Sequence, residues 1–261
     1  MASIPSTHFS AKSRDALPRL GQIPLGGTAT GTGLNTHPEF AARVRELLAS
    51  ETGLEISPPA DPFEAQAARD GIVEASGALK TVAVSLTKIA NDIRFLGSGP
   101  RAGLAEIALP ELQKGSSIMP GKVNPVMPEV VTQVAAQVIG NDAAIAIGGM
   151  QGHFELNVFV PLLARNILDS VKLLASACRL FAEKCVDGIE ANRENCERYA
   201  ELTLSAATAL NPYIGYDRAT EIVEEAAVSG RSLREVAREK GVEESVLDEA
   251  LDYRRMARPH D

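Results

Sequence analysis

The sequence predicts an all-α protein, a bundle of long helices followed by a small helical domain. Three observations carry that prediction. Apolar residues recur every seven positions through three long stretches, and no stretch alternates with period two over a useful length. Aromatic residues make up only 4% of the chain, too few for a β-sandwich or barrel. With 261 residues and 45% apolar content there is material for one large core and one small one.

A short helix is expected over residues 37–50. The first long helix then covers residues 61–96, where Ile72, Leu79, Leu86 and Ile93 form one row and Ala75, Val82, Ile89 and Leu96 the next. Asp61 reads as its N-cap, Pro62 as its first helical residue, Glu64 as a capping-box partner and Gly97 as its stop. At roughly 1.5 Å per residue it would reach about 50 Å, a length suited to an elongated bundle. The second helix starts at Pro125 or Pro128 and ends at Gly148-Gly149, with Val131, Val138 and Ile145 in its row. A third covers residues 156–186, with Val160, Ile167, Leu174 and Phe181 beside Ala164, Val171, Cys178 and Cys185. Three such helices do not close a core as thoroughly as a complete bundle, so association between copies is expected.

Beyond Gly188 the pattern shortens into amphipathic pieces punctuated by Asn211-Pro212, Gly215, Gly230 and Gly241, with Ser232 and Glu235 spaced as a capping box. The expected organisation is a leader over residues 1–13, a bundle over 14–188 and a small helical domain over 189–261. The leader has four serines, one lysine and no acid.

A net charge of −8 argues against a nucleic-acid partner, which would require a basic stripe. Acidic and basic residues interrupt the helical stretches, so no membrane span is expected. Cys178, Cys185 and Cys196 lack CxxC spacing and a neighbouring histidine, and they read as buried thiols in a reducing, cytoplasmic setting. No metal or organic cofactor is implied.

The chemistry is expected in the 31-residue connection between the first two long helices, residues 97–127, because structureless loops of that length are usually functional. Within it stands Gly115-Ser116-Ser117-Ile118-Met119-Pro120-Gly121-Lys122-Val123-Asn124-Pro125. Two hydroxyls, a cation and an amide lie just before a helix start, and Pro125 can occupy the first helical turn. Lys122, Asn124 and the helix N-terminus are then placed to face an anion from one side. Glu129 reads equally as an acid favoured by the helix dipole or as a functional carboxylate. The glycine-rich segment 26–33 has neither a Walker lysine nor GxGxxG spacing and receives no catalytic role.

The loop resembles the signature of the fumarase/aspartase superfamily, and Phe63-Glu64-Ala65-Gln66-Ala67-Ala68-Arg69-Asp70 and His153-Phe154-Glu155-Leu156-Asn157-Val158 lean toward its class II fumarate hydratases. The resemblance implies a lyase that interconverts fumarate and (S)-malate, with a small dicarboxylate substrate and a homotetramer. It assigns Ser116 as the catalytic base, Ser117, Lys122, Val123 and Asn124 as substrate contacts, and Glu129 as the carboxylate supporting a partner histidine.

In that superfamily three sequence regions from three subunits build each active site, and the loop is the third. The serine- and asparagine-rich first region has no match. Thr7-His8, followed by Phe9-Ser10-Ala11-Lys12, does not fit the second, and His37, His153 and His260 fall outside any matching motif. The expectation is a chain without the family's N-terminal region, inactive alone. Aspartate ammonia-lyase is the alternative within the enzyme class, and a non-catalytic helical assembly piece the alternative outside it.

Overall fold

The computed structural model describes residues 14–113 and 118–258. The chain divides into two compact units, the first made of Met1–Phe95 and Leu109–Ile189, the second of Leu96–Ala108 and Glu190–Asp261.

In the first unit a one-turn helix α1 (Leu17–Leu20) and the helix α2 (Phe40–Thr52) precede the long elements. Asp61 caps the next helix as expected, its carboxylate accepting from Phe63 N at 2.8 Å and Glu64 N at 3.2 Å. The single 61–96 helix is not formed, however. It breaks into α3 (Pro62–Ala67) and α4 (Asp70–Leu96) at Ala68, whose backbone is extended. The cause is Arg69, whose guanidinium donates to the carbonyls of Ala65, Gln66 and Ala68 at 2.7–3.0 Å, supplying partners that a continuing helix would have provided.

The remaining long helices are α5 (Val126–Gly149) and α6 (Val160–Lys184). On α5 the buried residues Pro128, Val131, Ala135, Val138, Asp142 and Ile145 follow the alternating three-and-four spacing of a bundle seam. The opposed order of contacts makes α5 antiparallel to both neighbours. Toward α4, Gly149 lies against Val73, Asp142 bonds Ser76 and Glu129 pairs with Arg94. Toward α6, Gly148 meets Leu163 and Asn141 bonds Ser170. A Cβ on Gly148 would stand 2.9 Å from Leu163 Cδ2, so the glycine allows the close approach there.

Two seams differ from the expected rows. On α4 Ala75, Val82, Leu86 and Ile93 are buried as expected, but a further row of small residues, Ser76, Ala83 and Ala90, is buried with them. On α6 the second row is Leu163, Ser170 and Ala177, one position ahead of the expected Ala164, Val171 and Cys178. Val171 is exposed and Cys178 half-buried, while Cys185 is buried at the helix end. Burial raises both thiols above the ordinary cysteine range.

Among the described residues one helix, α5, is long and apolar enough to cross a membrane. The expectation of no such stretch overlooked how little its two charges, Glu129 and Asp142, offset a run of Val, Ala, Ile and Gly. Here that apolar row is packed against α4 and α6, and Asn141 and Asp142 are buried within the same seams.

In the second unit a two-residue antiparallel pair, β1 (Ile107–Ala108) with β2 (Glu190–Ala191), joins the two chain segments, with Ile107 opposite Ala191. The helices α7 (Arg193–Leu202), α8 (Asn211–Ile214), α9 (Tyr216–Ser229), α10 (Leu233–Glu239), α11 (Glu244–Ala250) and α12 (Tyr253–Met256) follow, with a 3₁₀ segment at Leu204–Leu210. Leu210, Ile222, Leu233, Val236 and Leu247 are fully buried in one cluster. Ser232 and Glu235 form the expected capping box at the start of α10.

Candidate active site

The site is assembled where the loop enters α5. Met119, Pro120, Gly121 and Lys122 form a reverse turn closed by Lys122 N donating to Met119 O at 3.3 Å. Proline suits its second position, and the third, Gly121 at φ 77°, requires the left-handed region that glycine occupies without strain. The turn delivers Lys122, Val123 and Asn124 directly to the helix. Asn124 O then accepts from Val126 N at 2.9 Å, and Pro125 O accepts from Glu129 N at 3.1 Å. Pro125 is therefore the N-cap residue, one position before the expected first turn, and Val126 opens the helix.

Lys122 and Val123 are exposed and Asn124 is half-buried, so cation and amide lie beside the positive end of a 24-residue helix. Glu129 lies in the first turn of α5, where the dipole favours a carboxylate. Its Oε1 is 3.7 Å from Arg94 Nη2 on α4, with side chains 43% and 42% exposed. A pair this open to water contributes at most about 1 kcal/mol to stability.

The firmer tie between these helices is at the other end of the seam. Ser76 Oγ donates to Asp142 Oδ1 at 2.7 Å and Lys80 Nζ to Asp142 Oδ2 at 2.6 Å, with the Asp142 side chain only 12% exposed. The preceding residue, Asn141, faces the opposite neighbour, donating to Ser170 Oγ at 3.0 Å and accepting from Gln137 Nε2 at 2.8 Å. One dipeptide thus fixes α5 in register with both α4 and α6. Buried polar groups of this kind are costly unless paired, and each of these is paired.

Of the sequence-predicted residues, the structure brings Lys122, Val123, Asn124 and Glu129 to one end of α5. Ser116 and Ser117 lie outside the described residues, as do His8 and His260. His153 is in the turn that follows the opposite end of α5, and the exposed His37 accepts from Glu39 N at 3.3 Å. The glycine-rich segment is a tight turn in which Gly27 O accepts from both Gly31 N and Gly33 N at 3.0 Å.

A sequence profile described as Lyase matches residues 5–140, just over half of the chain. The chain belongs to the fumarase/aspartase superfamily of lyases. A second profile, Fumarase C C-terminus, matches residues 207–258 in the second unit. Among curated relatives, the class II fumarate hydratase of Mycobacterium tuberculosis is 57% identical over 253 residues, 94% of this chain and 53% of the relative. Among solved structures, the fumarate lyase:delta crystallin of Brucella melitensis superposes with a TM-score of 0.90 at 47% identity, covering 97% of this chain and 55% of that one. Class II fumarase from Schistosoma mansoni gives 0.88 at 35% identity, covering 98% and 57%. The chain spans about half the length of the relatives it matches.

Sequence reasoning missed Arg94, Asn141 and Asp142 in this superfamily member. Arg94 reads in the sequence as a cation in the last turn of a helix, which the dipole alone explains. Asn141 and Asp142 carried a stronger signal, a polar pair between Val138 and Ile145 within an otherwise apolar seam.

Proposed function

We propose that the protein carrying this chain reversibly hydrates fumarate to (S)-malate, and that this chain contributes the loop that binds the dicarboxylate. The observation that carries the reading is the delivery of Lys122 and Asn124 by the Pro120-Gly121 turn to the N-terminus of α5. The similarity to class II fumarate hydratases along nearly the whole chain supports it.

Dehydration of malate requires removal of a weakly acidic proton from the carbon beside a carboxylate. The electron pair moves into that carboxylate, giving an aci-carboxylate dianion; as the pair returns to form the carbon–carbon double bond, the C–O bond breaks and the hydroxyl leaves with a proton as water. The dianion is stabilised by groups already in place, since fixed donors and cations undergo no reorganisation as charge develops. Lys122, the Asn124 amide and the positive end of α5 are suited to that task. A serine hydroxyl is a poor base unless its alkoxide is stabilised, and in this reading the same positive region lowers that barrier for Ser116. Val123 and Ser117 complete the substrate contacts. Glu129 supports an acid/base histidine contributed from another part of the assembly, and exposed apolar residues on α6, Leu168, Val171 and Leu180, suit helix packing between chains.

The test is a chimera in which this chain replaces the matching 253 residues of the Mycobacterium tuberculosis class II fumarate hydratase. The chimera is expected to interconvert fumarate and malate, followed by fumarate absorbance, and the chain alone to show no turnover. Lys122→Met is expected to lower the chimera's kcat/KM by about 2–4 kcal/mol of transition-state stabilisation, roughly 30- to 1,000-fold. Turnover of aspartate in place of malate would assign the chain to the ammonia-lyases, and an unchanged Lys122→Met variant would remove that cation from the site.

A further inference from the structure

From the pairing across the α4–α5 seam we infer that Arg94 is a positioning residue for the lyase reaction, acting through Glu129. The inference rests on the functional reading above, because it gives Arg94 a task only if Glu129 has one. Arg94 is in the last turn of α4 and Glu129 in the first turn of α5, and their side chains meet at 3.7 Å beside the segment that carries Lys122 and Asn124.

Among the described residues two polar ties link these helices, and their environments divide the labour. At the far end Asp142 is buried between Ser76 and Lys80, both within ordinary hydrogen-bond distance, an arrangement that fixes helix register. At the loop end the Arg94–Glu129 pair is open to water on both sides and adds little to that register. What it does is limit where the Glu129 carboxylate points. Glutamate has three rotatable side-chain bonds, and a first-turn carboxylate with no cation beside it is free to turn toward solvent or toward the exposed Lys122. A carboxylate drawn to Lys122 would neutralise the cation that the dicarboxylate needs. Held by Arg94 instead, Glu129 keeps its orientation and leaves Lys122 to the substrate.

The side chain suits this role better than lysine would. A guanidinium presents several donors in a fixed plane and stays charged, so it can hold a carboxylate from more than one angle while remaining partly hydrated.

The experiment uses the chimera with Arg94→Met, Arg94→Lys, Glu129→Gln and the double variant Arg94→Met/Glu129→Gln. Arg94→Met is expected to lower kcat on the order of 10- to 100-fold, the scale of a misplaced catalytic group, with a much smaller change in KM. Arg94→Lys should recover part of that loss. In the double variant Arg94→Met should cost little beyond Glu129→Gln, because the residue acts through the carboxylate. Melting of the full 261-residue chain by far-UV circular dichroism should be nearly unchanged by Arg94→Met. An unmodified chimera without fumarate turnover would overturn the functional reading on which the inference depends. An active chimera in which Arg94→Met leaves kcat intact, or multiplies fully with Glu129→Gln, would overturn the inference alone, and a large loss of melting temperature would make Arg94 a structural residue.

Discussion

Leu210, Ile222, Leu233, Val236 and Leu247 of the second unit are fully buried against one another, whereas Leu168, Val171 and Leu180 of α6 in the first unit remain exposed. The second unit folds short helices around a single point. Its seven-residue helices α10 and α11 are held by a capping box and by Arg234 and Arg238 pairing with Glu244. The first unit spreads its burial along seams of 24 to 27 residues, fixed by a few polar ties and bearing the candidate site at one end. Phe154, 93% exposed in the turn between α5 and α6, marks how much apolar surface that arrangement leaves open. A closed core gives a unit its own stability. A long open seam trades part of that for faces on which other helices can pack.

The difference can be measured because the chain has no tryptophan and all four tyrosines, Tyr199, Tyr213, Tyr216 and Tyr253, belong to the second unit. Tyrosine fluorescence therefore reports that unit, while far-UV circular dichroism is dominated by the long helices of the first. The largest expected effect is that of Leu247→Ala. It opens a cavity at a fully buried position and is expected to cost about 2–5 kcal/mol, lowering the tyrosine midpoint well ahead of the main helical transition. Equal shifts by both probes would mean that the units unfold as one cooperative block and that their difference in burial has no energetic content.

A smaller effect is expected in the first unit. Asp142→Ala removes the acceptor for the buried Ser76 hydroxyl and the partner of Lys80, a loss of about 1–3 kcal/mol. Lys80 is 44% exposed and can turn to water, which favours the lower part of that range. The helical transition by circular dichroism should move while the tyrosine signal stays in place. Asp142→Asn, which retains an acceptor for Ser76, should move it less. A shift confined to the tyrosine signal would remove Asp142 from the seam.

The all-α class and the α5 row were legible in the sequence because a seven-residue apolar repeat has few physical readings once it persists over several turns. Asp61 and the Ser232–Glu235 box were legible for a similar reason, since helix caps are local. The break at Ala68 was not. Arg69 ends α3 by bonding carbonyls within its own neighbourhood, and an arginine with that task looks the same in sequence as one facing water. The α6 row was misread because Ser170 and Ala177 are small, so the larger and more apolar Val171 and Cys178, one position on, stand out as the stripe in the sequence. At the candidate site the motif showed Lys122, Val123, Asn124 and Glu129, whose spacing is local. The Arg94 contact spans a gap in the chain that no periodicity encodes.

The smallest expected effect tests the surface ionic network of the second unit through pH. The guanidinium of Arg238, followed by that of Arg234, holds the Glu244 carboxyl down to about 2 from an ordinary 4.5. A carboxyl whose pKa is depressed on folding contributes stability that is fully present above the unfolded value. The contribution is lost as pH falls from about 4.5 through about 2, because the unfolded chain takes up the proton first. Glu244→Gln should therefore leave the second unit slightly less stable near neutrality and flatten its response to acid across that window. Glu225, lowered mainly by Lys240, and Glu235, lowered by the Ser232 backbone and hydroxyl, titrate in the same direction, so a residual acid response must persist in the variant. The measurement is the tyrosine-detected melting midpoint of both proteins as a function of pH. Curves that converge as pH falls are expected. Parallel curves would mean that Glu244 gains nothing from its arginines in solution, the result that solvent screening of a partly exposed network would give.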